Sequence, residues 1–188
     1  GASPPHGRRW PGSIGNEDTW ADLSTADAAF ALNIFAGDAQ TATVATAVST
    51  APAVQVLDQY GNPVSGTTID FAVTGGAGNI SSPSGTTIIT NASGIAALST
   101  WTLGTTAGSN NNTLTATVNG GPLDTDFETF TASATPGAAV ALVLTTEPAT
   151  ISAAGNPFDT QPVLEIRDAY GNLVDDDATQ VAVIVQSG

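Results

Sequence analysis

One stretch of this chain occurs twice. P-A-V-Q-V-L-D-Q-Y-G-N-P-V fills positions 52–64, and P-V-L-E-I-R-D-A-Y-G-N-L-V fills positions 162–174. Asp58 and Asp168 therefore stand 110 positions apart (168 − 58). A repeat at fixed spacing means that one structural unit is used more than once. In each copy an apolar pair, Val54 and Val56 or Leu164 and Ile166, alternates with a polar residue, Gln55 or Glu165. That period of two encodes a half-buried strand. D-x-Y-G-N then turns the chain, because Gly and Asn accept tight-turn backbone angles. The next strand repeats as well. Ile69, Phe71 and Val73 correspond to Val181, Val183 and Val185 at an offset of 112 (181 − 69), with the two extra residues in the acidic loop of Asp175, Asp176 and Asp177.

Between the two copies the pattern is all-β. Short runs of Val, Thr, Ile and Ala are separated by Gly, Pro, Asn and Ser, which predicts strands at 41–47, 53–58, 67–73, 86–90, 95–101, 113–118 and 127–134. Many short strands in about 100 residues are the pattern of a β-sandwich, and a domain of about that size buries a core without staples. The expected core includes Val54, Val56, Ile69, Phe71, Ile95, Leu114 and Val118. This assigns a domain to 30–135, joined at T-P-G-A-A (135–139) to a second unit over 136–188. Gly188 falls level with Gly76, so the second unit is expected to be the N-terminal half of a domain, completed beyond this stretch or by another chain. Residues 1–29, with Pro4, Pro5 and Pro11 and no alternation, read as an irregular extension. The stretch 26–35 is compatible with a helical turn.

Charge narrows the partners. Lys and Arg total 3 against 17 Asp and Glu, a net charge of −14, and lysine is absent. Such a chain is repelled by phosphate backbones and anionic membranes, which argues against nucleic acid. No run reaches the ~20 apolar residues of a membrane span. Cysteine is absent, which removes disulfides and thiolate metal sites.

Several segments carry a resemblance. They are A-G-D-A-Q-T-A-T-V (36–44), V-L-D-Q-Y-G-N-P-V (56–64), G-G-A-G-N-I (75–80), T-N-A-S-G-I-A (90–96) and W-T-L-G-T-T-A-G followed by T-L-T-A-T-V (101–118). Together they resemble the bacterial immunoglobulin-like group 1 domains of invasin- and intimin-type adhesins. The resemblance implies tandem immunoglobulin-like β-sandwich domains, the second truncated, preceded by the irregular N-terminal extension. It implies a rigid stalk, extracellular or on a bacterial cell surface, and carries over no receptor site.

The inventory for catalysis is thin. The single histidine, His6, lies in the extension, and neither Cys nor Lys nor G-x-S-x-G is present. No enzymatic activity is expected. Asp175, Asp176 and Asp177 offer oxygen ligands of the kind calcium takes, against the simpler reading of solvated acidic loops. Asp124, Asp126 and Glu128 are a weaker group of the same type. N-x-S/T sequons at Asn79, Asn91 and Asn111 are expected by chance in so Asn-, Ser- and Thr-rich a chain. The extension holds Arg8, Arg9, Trp10 and Trp20, residue types that anchor interfaces, and is the expected partner-binding segment, for a protein partner or for its own assembly. The functional expectation is a structural or adhesive surface protein. A subunit of a filament, pilus or virion coat, joined through the tail or an edge strand, and a spacer domain of a larger secreted enzyme are the alternatives.

Overall fold

The computed structural model describes residues 26–150, 153–175, 180–182 and 184. Among these residues the fold is all-β, without helix, and is built from several sheets. The strands are β1 (Ala31–Ala36), β2 (Gln40–Thr43), β3 (Ala53–Leu57), β4 (Thr68–Gly75), β5 (Asn79–Ser81), β6 (Thr87–Ile89), β7 (Ile95–Ala97), β8 (Thr100–Thr102), β9 (Gly108–Asn119) and β10 (Phe127–Thr135). Two more, β11 (Ala141–Thr146) and β12 (Val163–Arg167), form a separate ladder.

A three-stranded sheet, β1-β3-β7, and a five-stranded sheet, β2-β10-β9-β4-β6, share one core, an arrangement consistent with a β-sandwich. Period-two alternation supplies the core from both sides. The larger sheet contributes Ile69 and Phe71 from β4, Leu114, Ala116 and Val118 from β9, and Phe130 and Ala132 from β10. The smaller sheet contributes Leu32, Val54, Val56 and Ala96. Trp101 and Leu103 close one end. Each fully buried large apolar side chain stabilises the fold by roughly 1.5–3 kcal/mol. Six of the seven expected core residues are buried, and Gln55 points outward between Val54 and Val56 as its alternation requires.

The structure corrects four sequence readings. Ile95 is only half-buried, and Ala96 takes the core position. The single strand expected over 95–101 is two strands, β7 beside β3 and β8 beside β5, broken at Leu98–Ser99. Ala96 stands opposite buried Val54, while Ile95 stands opposite the outward Gln55. Cross-strand partners share a face, so pairing fixes Ile95 on the outer side. The stretch 26–35 is not helical. Leu32 and Ile34 alternate with Asn33 and Phe35, and β1 pairs antiparallel with β3. The strand expected over 41–47 ends at Thr43, where the chain turns through Thr46 N–H to the Thr43 carbonyl.

The chain changes sheets between β1 and β2. β1 runs antiparallel to β3, whereas β2 runs parallel to β10, with Gln40 opposite Ala132 and Thr43 opposite Thr135. At the end of the sandwich where β10 leaves, the G-G-A-G-N stretch lies against W-T-L-G. Gly76 (φ +80°) and Gly104 touch so closely that a Cβ on Gly104 would overlap the Gly76 carbonyl oxygen, and one on Gly76 would lie 2.2 Å from Asn112 Oδ1. Asn112 is fully buried, and its Oδ1 accepts the Gly104 N–H at 2.9 Å. This cluster fixes the start of the loop at 105–107.

The ladder β11–β12 reproduces β1–β3 at the offset of 110. Ala31 faces Leu57 and Ala141 faces Arg167; Leu32 faces Val56 and Leu142 faces Ile166. Both ladders shift register at the same place, between Ile34 and Ala36 and between Leu144 and Thr146. Their surroundings differ. Leu32 is 9% exposed and Val54 0%, whereas Leu142 is 52% and Leu164 38% exposed. A groove of about 340 Å³ lined by Val140, Leu142, Ile166, Gln180 and Val181 runs along this face.

Candidate functional site

The repeated turn gathers four hydrogen bonds on one buried carboxylate in each copy. After β3 the chain reverses through 58–62, with Asp58 N–H donating to the Asn62 carbonyl and Gly61 N–H to the Asp58 carbonyl. Gly61 takes φ +86°, which a side chain would oppose. The Asp58 carboxylate, 3% exposed, holds the reversal from inside. Its Oδ1 accepts the Tyr60 and Asn62 N–H groups, both at 2.8 Å. Its Oδ2 accepts Asn62 Nδ2–H and the Asp27 N–H, both at 3.0 Å. Side-chain oxygens bonded to backbone two residues on are the usual aspartate turn device.

The second copy is superimposable in chemistry. Asp168 Oδ1 accepts Tyr170 N–H and Asn172 N–H at 2.8 Å, and Oδ2 accepts Asn172 Nδ2–H at 2.8 Å and Gly137 N–H at 2.9 Å. Gly137 thus stands in for Asp27, again at the offset of 110. Burial raises the pKa of both carboxyls, but the donors outweigh it and hold each at about 2; for Asp58 these are Asp27, Asn62 and Tyr60, and for Asp168 they are Asn172, Gly137 and Tyr170. Both are therefore ionised acceptors at neutral pH, and charge-assisted bonds of this kind are the stronger class.

The second turn does one thing more. Asn172 Oδ1 accepts the Ala107 N–H at 2.8 Å, and Asn172 Nδ2 donates to the Thr105 carbonyl at 2.8 Å. One amide thus reads both groups of a backbone edge belonging to the sandwich. Arg167 supports it from behind, paired with Glu165 and donating to the Gly171 carbonyl at 2.7 Å. The position of Gly137 lies beside Val44 of the sandwich, whose Cγ2 would be 3.9 Å from a Cβ there. The turn after β12, the linker at 136–138 and the 105–107 loop form a joint between the sandwich and the C-terminal ladder.

Arg8, Arg9, Trp10 and Trp20 lie outside the described residues, as do His6, Asp176 and Asp177. Asp175 is exposed after the turn. Asp168, a neighbour of that acidic loop, has both oxygens engaged by main-chain and amide donors rather than facing it. Asp124 Oδ1 accepts the Gly120 N–H at 2.7 Å within its own hairpin. Among the described residues no group of three or more His, Cys, Asp or Glu is gathered as for a metal ion. The role of Asn172 was visible only as an unchanged letter in the repeat; its partners Thr105 and Ala107 offer backbone groups, which no side-chain pattern announces. Comparison with protein-family models, curated proteins and solved structures yields no match.

Proposed function

We propose that this chain is a non-enzymatic segment of an extracellular stalk, a structural or adhesion module of a bacterial surface or secreted protein built from tandem immunoglobulin-like units. The observation that carries this reading is the joint. The second copy of the repeated turn is bonded at two points to the sandwich before it, so the two units are held in one orientation instead of swinging on a linker. The identical register of β1–β3 and β11–β12 supports reading the ladder as a second copy of the unit. The N-terminal extension, with Arg8, Arg9, Trp10 and Trp20, is the anchor in this reading, docking on a protein partner or a neighbouring copy.

The filament reading is favoured by a separate observation. Leu142, Leu144 and Leu164 expose the face that the sandwich buries, so a strand and side chains from a neighbouring chain would complete it.

The cysteine-free sequence permits clean spin labelling. With Ser84→Cys and Thr160→Cys on exposed sites, the inter-label distance distribution is expected to be narrow. Asn172→Ala removes both bonds, each contributing about 1 kcal/mol, and is expected to broaden it. An equally broad distribution in the parent would refute the stalk reading. Native mass at rising concentration, in the parent and in a chain lacking 1–29, separates stalk from filament.

A further inference from the structure

The sandwich carries, at its own N-terminal end, the same turn that the ladder uses to grip the sandwich. Asp58, Tyr60, Gly61 and Asn62 repeat Asp168, Tyr170, Gly171 and Asn172 in identity, hydrogen bonding and backbone angle. One difference stands out. The Asn172 amide is fully used, by Asp168, Thr105 and Ala107. The Asn62 amide donates to Asp58 Oδ2 and makes no other side-chain bond among the described residues. Asn62 is half-buried, and its amide is held in direction by the same buried carboxylate.

We infer that the Asp58–Asn62 turn is a docking seat for another unit of this repeat, which would offer the backbone counterpart of Thr105 and Ala107. The inference rests on the stalk reading and extends it from one joint to a second.

The occupant follows from what the twin turn holds. A primary amide with its oxygen and nitrogen side by side matches a carbonyl and the N–H two residues further on, and the 105–107 loop presents that pair. The seat also tolerates the change at its backbone donor. Asp27 stands where the working joint has Gly137, and a Cβ at Gly137 would meet Asp168 at 3.6 and 3.7 Å and Val44 at 3.9 Å, ordinary contact distances. The Asp27 carboxylate is drawn back onto its own turn, with Oδ1 accepting the Ala28 N–H at 2.8 Å and Oδ2 facing Gln59 Nε2 at 3.4 Å. Beside the seat an open cleft of about 380 Å³ lies between Ala29, Val64, Gly66, Asn119 and Pro122. The 105–107 loop of this same chain is already taken by Asn172, so the loop must come from another unit.

The test is the full chain with a second copy of residues 26–135 inserted between residues 25 and 26. Ser84→Cys in both complete units reports the new joint, and a separate pair, Ser84→Cys and Thr160→Cys, reports the existing one. The expected result is a narrow distribution at both joints, with Asn62→Ala in the downstream unit broadening only the new one, about twofold, for loss of its two bonds. Asn62→Ala also removes the amide bond to Asp58, so its melting is expected to fall slightly, and a single cooperative transition with the parent's far-UV circular dichroism shows that the unit itself remains folded. A broad new joint beside a narrow existing one overturns this inference and leaves the stalk reading standing. Two broad joints refute both. A new joint that stays narrow in Asn62→Ala also overturns the inference, because something other than the turn would then hold it.

Discussion

The glycine pair behind the joint gives a sharp test by double-mutant cycle. Gly76→Ala places a methyl 2.2 Å from Asn112 Oδ1, 2.6 Å from its Cγ and 2.9 Å from its Cα, in a backbone conformation at φ +80°. The left-handed backbone alone costs a residue with a side chain roughly 1–2 kcal/mol, and forced overpacking adds about 1–3 kcal/mol. Asn112→Ala removes the acceptor of the Gly104 N–H and leaves a buried donor unpaired, a cost of about 1–3 kcal/mol. It also removes the two nearest of the three atoms that the new methyl meets. The combined variant is therefore expected to be more stable than the sum of the single losses, by about 1 kcal/mol or more, since residues in contact couple on that scale. Urea unfolding followed by far-UV circular dichroism gives all four corners of the cycle. Strict additivity, or a neutral Gly76→Ala, would refute the packing argument and with it the account of how the 105–107 loop is positioned.

Two further outcomes are expected. Phe130→Ala should cost about 3–5 kcal/mol and Phe127→Ala under about 0.5 kcal/mol, since both lie on β10 but Phe130 is fully buried and Phe127 64% exposed; equal losses in denaturant titrations would reverse the register of the strand. Asp58 and Asp168 are held at about 2, below the value of a free carboxyl, so the stability they contribute is complete above about pH 4 and falls as pH drops toward 2. Thermal melts between pH 5 and 2 should show that fall and Asp58→Asn should flatten it, whereas a parent curve flat to pH 2 would contradict the bonding described for both turns.

Periodicity made much of the sandwich legible beforehand. Where a strand is long and alternates cleanly, as in 67–73 or 113–118, the core face could be read directly, and Ile69, Phe71, Leu114 and Val118 are buried. The failures fall where pairing outweighs local pattern. Ile95 is the larger apolar residue, yet Ala96 sits inside because β3 sets the register. β1 has only two inward apolar residues, Leu32 and Ile34, whose partners Val56 and Val54 lie 24 and 20 positions away. β11 carries no clear pattern for the same reason, although its sequence sits at the repeat offset from β1. The joint was half legible. D-x-Y-G-N reads as a turn in both copies, but Asn172 meets backbone groups, and backbone groups leave no mark in sequence.

The switch of sheets between β1 and β2 has a mechanical consequence. β2 enters the larger sheet at Gln40 and runs parallel to β10, which carries the chain out at Thr135. A pull on the two ends of the sandwich drags these neighbours past one another along their length. Their ladder is then strained in shear, so its hydrogen bonds resist together, whereas an antiparallel pair pulled from one end opens one bond at a time. The order in which this sheet is wound thus makes the unit stiffest along the line joining its two ends.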